Sequence, residues 1–252
     1  MCWGLECGNG WYELIDALCT QIDQHLQACF DEGDRFNVKV VQVKEKFGTL
    51  RFYTAGEDEF ISGLIWMAEG LSGVLCETCG RHGRIVSLSK HTVGCRCPNH
   101  GGQLLASEMP PNARIDARYG LPFNLHALPQ AEQGAAEERR RVLAAIPLLS
   151  ESIDRFMVAY GRFPALAFLL QAVLARLVQD ALMNRDPDLA IGIEQDAGRP
   201  VLSWERQTPP SFTDGKLVMA QAIIDRYQAN QGRWRETLAE LTRSGAPGCS
   251  TD

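Results

Sequence analysis

Four residues between positions 76 and 100 carry the clearest chemistry in this sequence. Cys76-Glu-Thr-Cys79 is followed, after 17 intervening residues, by Cys97-Pro-Asn-His100. Thiolate and imidazole are donors that zinc takes, and two close pairs at this separation supply the four that a closed tetrahedral site needs. Each pair sits on one tight turn, which aims two side chains at one point. The segment between has room to fold back and set the pairs face to face. Cys95 offers a rival thiol. The two-residue spacer from Cys97 to His100 repeats that of the first pair, whereas the one-residue gap of Cys95-Arg-Cys97 aims side chains less well. The expected ligands are therefore Cys76, Cys79, Cys97 and His100, and the expected cofactor is a structural zinc ion. The plainer alternative is a set of reduced or disulfide-bonded cysteines without metal.

The surrounding pattern shows what must position these donors. Residues 84–89 and 91–94 read as two short strands around a turn at Lys90, which gives a zinc-ribbon-like or treble-clef-like module. Upstream, Trp11, Leu14, Ile15, Leu18, Cys19, Ile22 and Leu26 recur at helical spacing from Gly10 to about Phe30. Cys19 and Cys29 lie near this stripe and are expected in the core, with Cys7 buried at the turn before Trp11. Residues 36–43 are rich in β-branched side chains, 44–48 form a turn with charged tips, and 49–53 return as a strand. A second helix spans about 58–75 and buries Phe60, Ile61, Leu64, Ile65, Ala68, Leu71 and Leu75.

This order resembles a family of small uncharacterised zinc-knuckle bacterial proteins, frequent in phages and other mobile elements. The resemblance rests on Cys7-Gly-Asn-Gly-Trp11, Leu14-Ile15, Val41-Gln-Val-Lys-Glu-Lys-Phe-Gly-Thr-Leu-Arg-Phe-Tyr53, Cys76-Glu-Thr-Cys-Gly80 and the closing Cys97-x-x-His100. It covers about residues 5–102, less than half the chain. It implies a small zinc-bearing α+β domain and no transferable activity. Cys95 and the long C-terminal extension depart from the short form.

From 101 to about 134 the periodicity breaks, with Pro110, Pro111, Pro122 and Pro129 as punctuation. Residues 135–160 read as helical with a break at Pro147, and Pro164 opens a helix to about Asn184. Residues 191–193 and 201–204 around Asp196-Ala-Gly-Arg199 suggest a hairpin. Thr213-Asp214 is placed to cap a last helix, interrupted at Asn230-Gln-Gly232 and resumed from Trp234. The expected organisation is an α+β zinc-binding domain at 1–105, a Pro-rich linker at 106–134, a mostly helical domain at 135–245 and a disordered tail at 246–252.

Composition narrows the function. The chain has 252 residues and a net charge of −6, which disfavours a general nucleic-acid binder. The charge is uneven: residues 1–75 hold five basic against twelve acidic side chains, and residues 76–125 hold six against three. Arg81, Arg84, Lys90 and Arg96 thus form a basic island that could dock phosphate or balance thiolate charge. Lys44, Lys46 and Arg51 around Phe47 form a basic, aromatic hairpin tip, better suited to packing on the zinc module or to a protein. His82 and His91 read as exposed loop histidines. No charged-then-apolar leader opens the sequence, so a cytoplasmic, reducing compartment is expected, where cysteines favour metal over disulfides. The apolar run at 165–183 carries Gln171, Arg176, Gln179 and Asp180 and reads as a buried helix, with no membrane association expected.

Gly-x-Ser-x-Gly, a phosphate-binding Gly-rich loop, a zincin helix and the His-x-Glu of zinc deaminases are all missing from the sequence. The expectation is a non-enzymatic, zinc-stabilised protein-binding factor with a protein partner. Interference with a host defence complex, in the manner of an anti-CRISPR protein, is the version that the resemblance implies. Arg233-Trp-Arg235 is a candidate contact. A nucleic-acid-binding regulator using the basic zinc module is the alternative.

Overall fold

The computed structural model describes residues 4–31, 37–101, most of 152–184, 191–206 and 208–243, with side chains in the last stretch described to Asn230. The fold is mixed α+β, with small sheets, four α-helices with described bounds, and further helical residues between Ser152 and Arg162. Strand β1 (Leu5–Glu6) and a 3₁₀ turn (Asn9–Trp11) lead into helix α1 (Tyr12–Asp31). Strands β2 (Lys39–Lys46) and β3 (Thr49–Ala55) form an antiparallel hairpin, followed by helix α2 (Glu59–Ser72). Strands β4 (Arg84–Ser89) and β5 (Thr92–Arg96) form a second hairpin, closed by a 3₁₀ turn (Pro98–His100). A further 3₁₀ turn (Pro164–Leu166) opens helix α3 (Ala167–Asn184). The hairpin of β6 (Gly192–Asp196) and β7 (Arg199–Ser203) follows, and then helix α4 (Phe212–Arg243).

Local chemistry explains most boundaries. Asp58 caps α2 by accepting from the Ile61 amide at 2.8 Å. The β2–β3 turn is two residues, Phe47 and Gly48, both with positive φ (56° and 79°), the backbone of the tight hairpin turn that matches strand twist. The β6–β7 turn repeats it at Ala197 and Gly198. Ser211 and Asp214 form a reciprocal cap on α4: the Ser211 amide donates to Asp214 Oδ2 at 2.8 Å, and the Asp214 amide to Ser211 Oγ at 3.2 Å. The cap thus involves Ser211 rather than Thr213. Helix α4 also runs unbroken through Asn230-Gln-Gly232, against the expected interruption. One glycine costs a helix only about 1 kcal/mol, which neighbouring turns outweigh.

Two sheet edges are closed by helix side chains. The outer edge of β3 donates Leu50 N to Ser72 Oγ (2.8 Å) and Phe52 N to Glu69 Oε1 (3.0 Å), both from α2. The edge of β7 is met by Gln221 of α4, which accepts from Leu202 N at 2.7 Å and donates to Pro200 O at 3.2 Å. Free strand edges otherwise invite pairing with other chains. On the far side of β2, β1 pairs in parallel, with Leu5 opposite Val43. The sequence reading missed that strand, for two residues carry no periodicity.

Side chains from both expected units belong to one apolar cluster, with Trp11, Leu18, Leu64 and Leu71 on one side and Phe156, Leu170, Ile223 and Tyr227 on the other. The joint is a close crossing of α2 and α4. A Cβ added to Gly63 would overlap the Phe212 carbonyl oxygen, and one added to Gly215 would overlap that of Phe60. Only glycine at both positions lets the backbones approach this far. Arg226 of α4 reaches Glu13 (3.1 Å) and Asp16 (2.5 Å) of α1, and Lys216 of α4 makes a buried ion pair with Asp180 of α3. The 106–134 linker, the Pro147 break and the 246–252 tail lie outside the described residues, as do the side chains of Arg233, Trp234 and Arg235.

Candidate metal centre

The first pair of donors follows α2 directly. Cys76 is fixed by its amide, which donates to Arg81 O at 2.7 Å, and its carbonyl accepts from Cys79 N (3.2 Å) and Gly80 N (2.7 Å). This is a tight knuckle with both thiols on one side. The second pair begins where β5 ends. Cys97 starts the 3₁₀ turn, and its carbonyl accepts from His100 N at 2.9 Å. The two turns are tied across the hairpin by Glu77 N donating to Cys95 O at 3.0 Å.

The four donor atoms of Cys76, Cys79, Cys97 and His100 lie within 4.8 Å of one another, and together they can bind a metal ion. Cys79 Sγ is 3.7 Å from Cys97 Sγ, and His100 Nδ1 is 3.6 Å from Cys76 Sγ and 3.2 Å from Cys97 Sγ. Bonds of about 2.3 Å to sulfur and about 2.1 Å to nitrogen in a tetrahedron set donors roughly 3.6–3.8 Å apart. Cys95 stands outside this cluster. It sits within β5, fully buried, and its thiol donates to Gly73 O at 3.2 Å. Burial raises that thiol well above its ordinary pKa, with the neighbouring Cys76 adding to the effect.

The electrostatics of the knuckle are those of thiols crowded on one point. Burial alone would raise Cys76, but the amides of Cys97, Cys79 and Thr78 and the His100 ring outweigh it and bring the thiol below its ordinary value. Cys79 moves the other way, raised by burial and by the charge on Cys76. A cation among the donors would remove that conflict. Outside the cluster, Arg96 Nη1 meets Glu77 Oε2 at 2.6 Å.

The motif at 7–11 packs on this knuckle. Gly10 N donates to Glu77 O at 2.8 Å, Gly8 N to Glu77 Oε1 at 3.1 Å, and Trp11 Nε1 to Leu75 O at 2.8 Å. A Cβ at Gly10 would overlap the Cys76 carbonyl oxygen. From the other side, Tyr227 of α4 donates its hydroxyl to Gly80 O, and His82 stacks on Phe168 of α3 with ring centroids 4.6 Å apart. Burial in that stack lowers the His82 pKa, with Arg84 adding to it. The knuckle is thus held by both ends of the chain. Nothing in the sequence pattern around Tyr227 names Gly80 as its partner.

Other expected groups are placed as follows. Cys19 is exposed, a correction to its expected core position, because Leu14, Ile15, Leu18 and Ile22 already fill the buried stripe. Cys7 and Cys29 are half-buried, so neither is the fully buried thiol expected. His82 and His91 are both exposed, as expected, and the His82 ring stacks on Phe168 nonetheless. Of the basic island, Arg84 and Lys90 are exposed, Arg81 is half-buried and Arg96 is engaged by Glu77. At the hairpin tip, Gly48 abuts Ile85 of β4. Arg51 donates to Thr49 Oγ1 (2.8 Å) and Leu50 O (2.7 Å), while the ammonium groups of Lys44 and Lys46 lie over the Tyr53 and Phe47 rings, 5.5 and 5.4 Å from their centroids. Among the described residues, no helix is long and apolar enough to cross a membrane. Comparison with protein-family models, curated proteins and solved structures finds no match to this chain.

Proposed function

We propose that this chain is a non-enzymatic protein-binding factor whose N-terminal half is held in shape by one structural zinc ion. The observation that carries this reading is the four-donor cluster of Cys76, Cys79, Cys97 and His100. Four protein donors fill a tetrahedral ion and leave no position for water or substrate, which is the arrangement of a structural site. Three thiolates and an imidazole favour zinc over magnesium or calcium, which prefer oxygen. The module is zinc-ribbon-like in having a knuckle, a hairpin and a second turn of ligands.

The described surface suits a protein partner. Phe47, Tyr53 and Leu88 are 65, 41 and 43 % exposed, on or beside the two hairpins. Exposed aromatic side chains of this kind anchor protein interfaces. The resemblance to proteins of phages and mobile elements makes a host protein the expected partner, and inhibition of a host defence complex, as by an anti-CRISPR protein, one concrete form. Binding to nucleic acid is disfavoured because Glu77 engages Arg96, leaving few free charges to neutralise phosphates.

The experiment joins elemental analysis to partner capture from the native host. Protein purified without chelator is expected to hold about one zinc per chain at this cluster. The wild type is expected to retain a host protein that a Phe47→Ser, Tyr53→Ser variant with full metal content does not. A metal-free wild type overturns the zinc reading. Submicromolar binding of random DNA with a steep salt dependence, abolished by replacing Arg81, Arg84 and Lys90 with alanine, overturns the protein-binding reading in favour of a nucleic-acid regulator.

A further inference from the structure

A second group of donors lies away from the knuckle, between α1 and the start of α2. His25 and Cys29 are four residues apart on α1, so they share one face of that helix. Asp58, the cap of α2, faces them. The donor atoms of His25, Cys29 and Asp58 all lie within 4.8 Å of one another. Cys29 Sγ is 3.6 Å from His25 Nε2, and Asp58 Oδ2 is 2.6 Å from that same nitrogen.

We propose that His25, Cys29 and Asp58 form a second site for a divalent transition ion, with one coordination position open to a water or an anion. The geometry separates this from a proton relay. In a Cys–His–Asp relay the thiol and the carboxylate use opposite ring nitrogens. Here both converge on Nε2, so the three groups share one focus.

The group is also pre-positioned. The His25 ring stacks on Phe60, with centroids 4.3 Å apart and planes 28° from parallel. Asp58 Oδ1 is held by the Ile61 amide, which leaves Oδ2 for the ion. The side chains of His25 and Asp58 are 8 and 25 % exposed, so the site is shielded yet reachable. One imidazole, one thiolate and one carboxylate make a mixed nitrogen, sulfur and oxygen set, which suits Zn²⁺ or Co²⁺ rather than Mg²⁺ or Ca²⁺. Among the described residues three ligands converge here, which leaves the fourth tetrahedral position to a water or an anion.

The 2.6 Å spacing of Nε2 and Oδ2 is that of a short hydrogen bond with one proton between them. The ion takes the place of that proton. Nε2 gives its lone pair to the metal, any hydrogen it carried moving to Nδ1 or to solvent, and Cys29 gives its thiol hydrogen to solvent. The carboxylate moves back until nitrogen and oxygen stand about 3.4 Å apart, each on its own bond of about 2.0–2.2 Å to the ion. Binding therefore releases at least the thiol proton and strengthens with rising pH.

The test uses the full-length chain in zinc-buffered solution, read by elemental analysis and by Co²⁺ absorption. The wild type is expected to hold about two ions per chain, counting the knuckle. Cys29→Ser and His25→Phe, which keeps the stack on Phe60, are each expected to lose one ion and retain the other. Cys97→Ser is expected to keep the Cys29-dependent ion. Co²⁺ in the wild type is expected to show a sulfur-to-cobalt band that azide shifts, because only an open position accepts azide. Loss of an ion in Cys29→Ser alongside no metal at the knuckle would support this site and overturn the zinc reading of the other. A wild type that stops at about one ion, retained in Cys29→Ser, overturns this proposal. So does the absence of any azide-sensitive band in the wild type, a result that needs no variant to fold.

Discussion

The hairpins β4–β5 and β6–β7 are built alike, each from two strands of five or six residues joined by a two-residue turn. Such a hairpin is marginal by itself in water, so each must borrow stability, and they borrow it differently. The first is bracketed by the donor pairs Cys76/Cys79 and Cys97/His100, which a single ion can join. The second has no such cluster among the described residues. Gln221 of α4 closes its edge, and Trp204, just past β7, donates Nε1 to Asp214 Oδ1 at 2.9 Å, the residue that also caps α4. One hairpin can be secured by ligand bonds that short sequence spacing encodes. The other depends on where a distant helix lies.

The largest expected effect breaks that symmetry. Cys76→Ser or Cys97→Ser, or strong chelation, should unfold β4–β5 first, because structural zinc binding supplies folding free energy on the order of 10 kcal/mol. Hydrogen exchange resolved by segment should show β4–β5 amides losing protection well before those of β6–β7. Equal loss in both hairpins would mean that they do not rely on separate supports. Cys95→Ser should keep its metal, since its thiol faces Gly73 O and the core.

The α2–α4 crossing is common to both regions. Gly63→Ala or Gly215→Ala drives a methyl group into a backbone carbonyl, and overpacking of this kind costs about 1–3 kcal/mol. Urea denaturation should show a lower midpoint in either variant, with metal content at the knuckle unchanged. Gln221→Ala should act on the second hairpin alone. It removes two hydrogen bonds to β7, each worth about 1 kcal/mol, and exchange in β6–β7 should rise while β4–β5 stays protected. The smallest effect sharpens the contrast from the other side. Tyr227→Phe deletes the hydroxyl bond to Gly80 O, costs about 1 kcal/mol, and should slightly speed metal loss from the knuckle in a competition with chelator. A variant with unaltered metal release would show that α4 braces the knuckle passively.

The elements that were legible are those whose signals are local. The α1 stripe, the β2–β3 hairpin, the Asp58-led α2, Pro164 before α3 and the Asp196–Arg199 turn each follow from residues within a few positions of one another. The four knuckle donors belong to this class, because each pair lies within one turn of chain. Cys95 and Cys97 differ only in register, so the two-residue spacer was the sole local guide, and the structure places Cys97 in the cluster and Cys95 in the core.

What the sequence determined by itself, then, is a pattern of periodicities, caps, turns and ligand spacings. Tertiary structure decided the rest, because it depends on backbones meeting across long separations. Gly63 and Gly215 lie on helices that are far apart in the chain, and nothing near either says that the other will fill its missing side chain. His25 and Cys29 show helical spacing, but only the approach of α2 brings Asp58 to their common focus. Tyr227 reads as an apolar stripe residue until α4 passes the knuckle and its hydroxyl finds Gly80 O. Hydrogen-bond reach of about 3 Å is set by how whole elements pack, and packing sums many weak contacts that no short motif records.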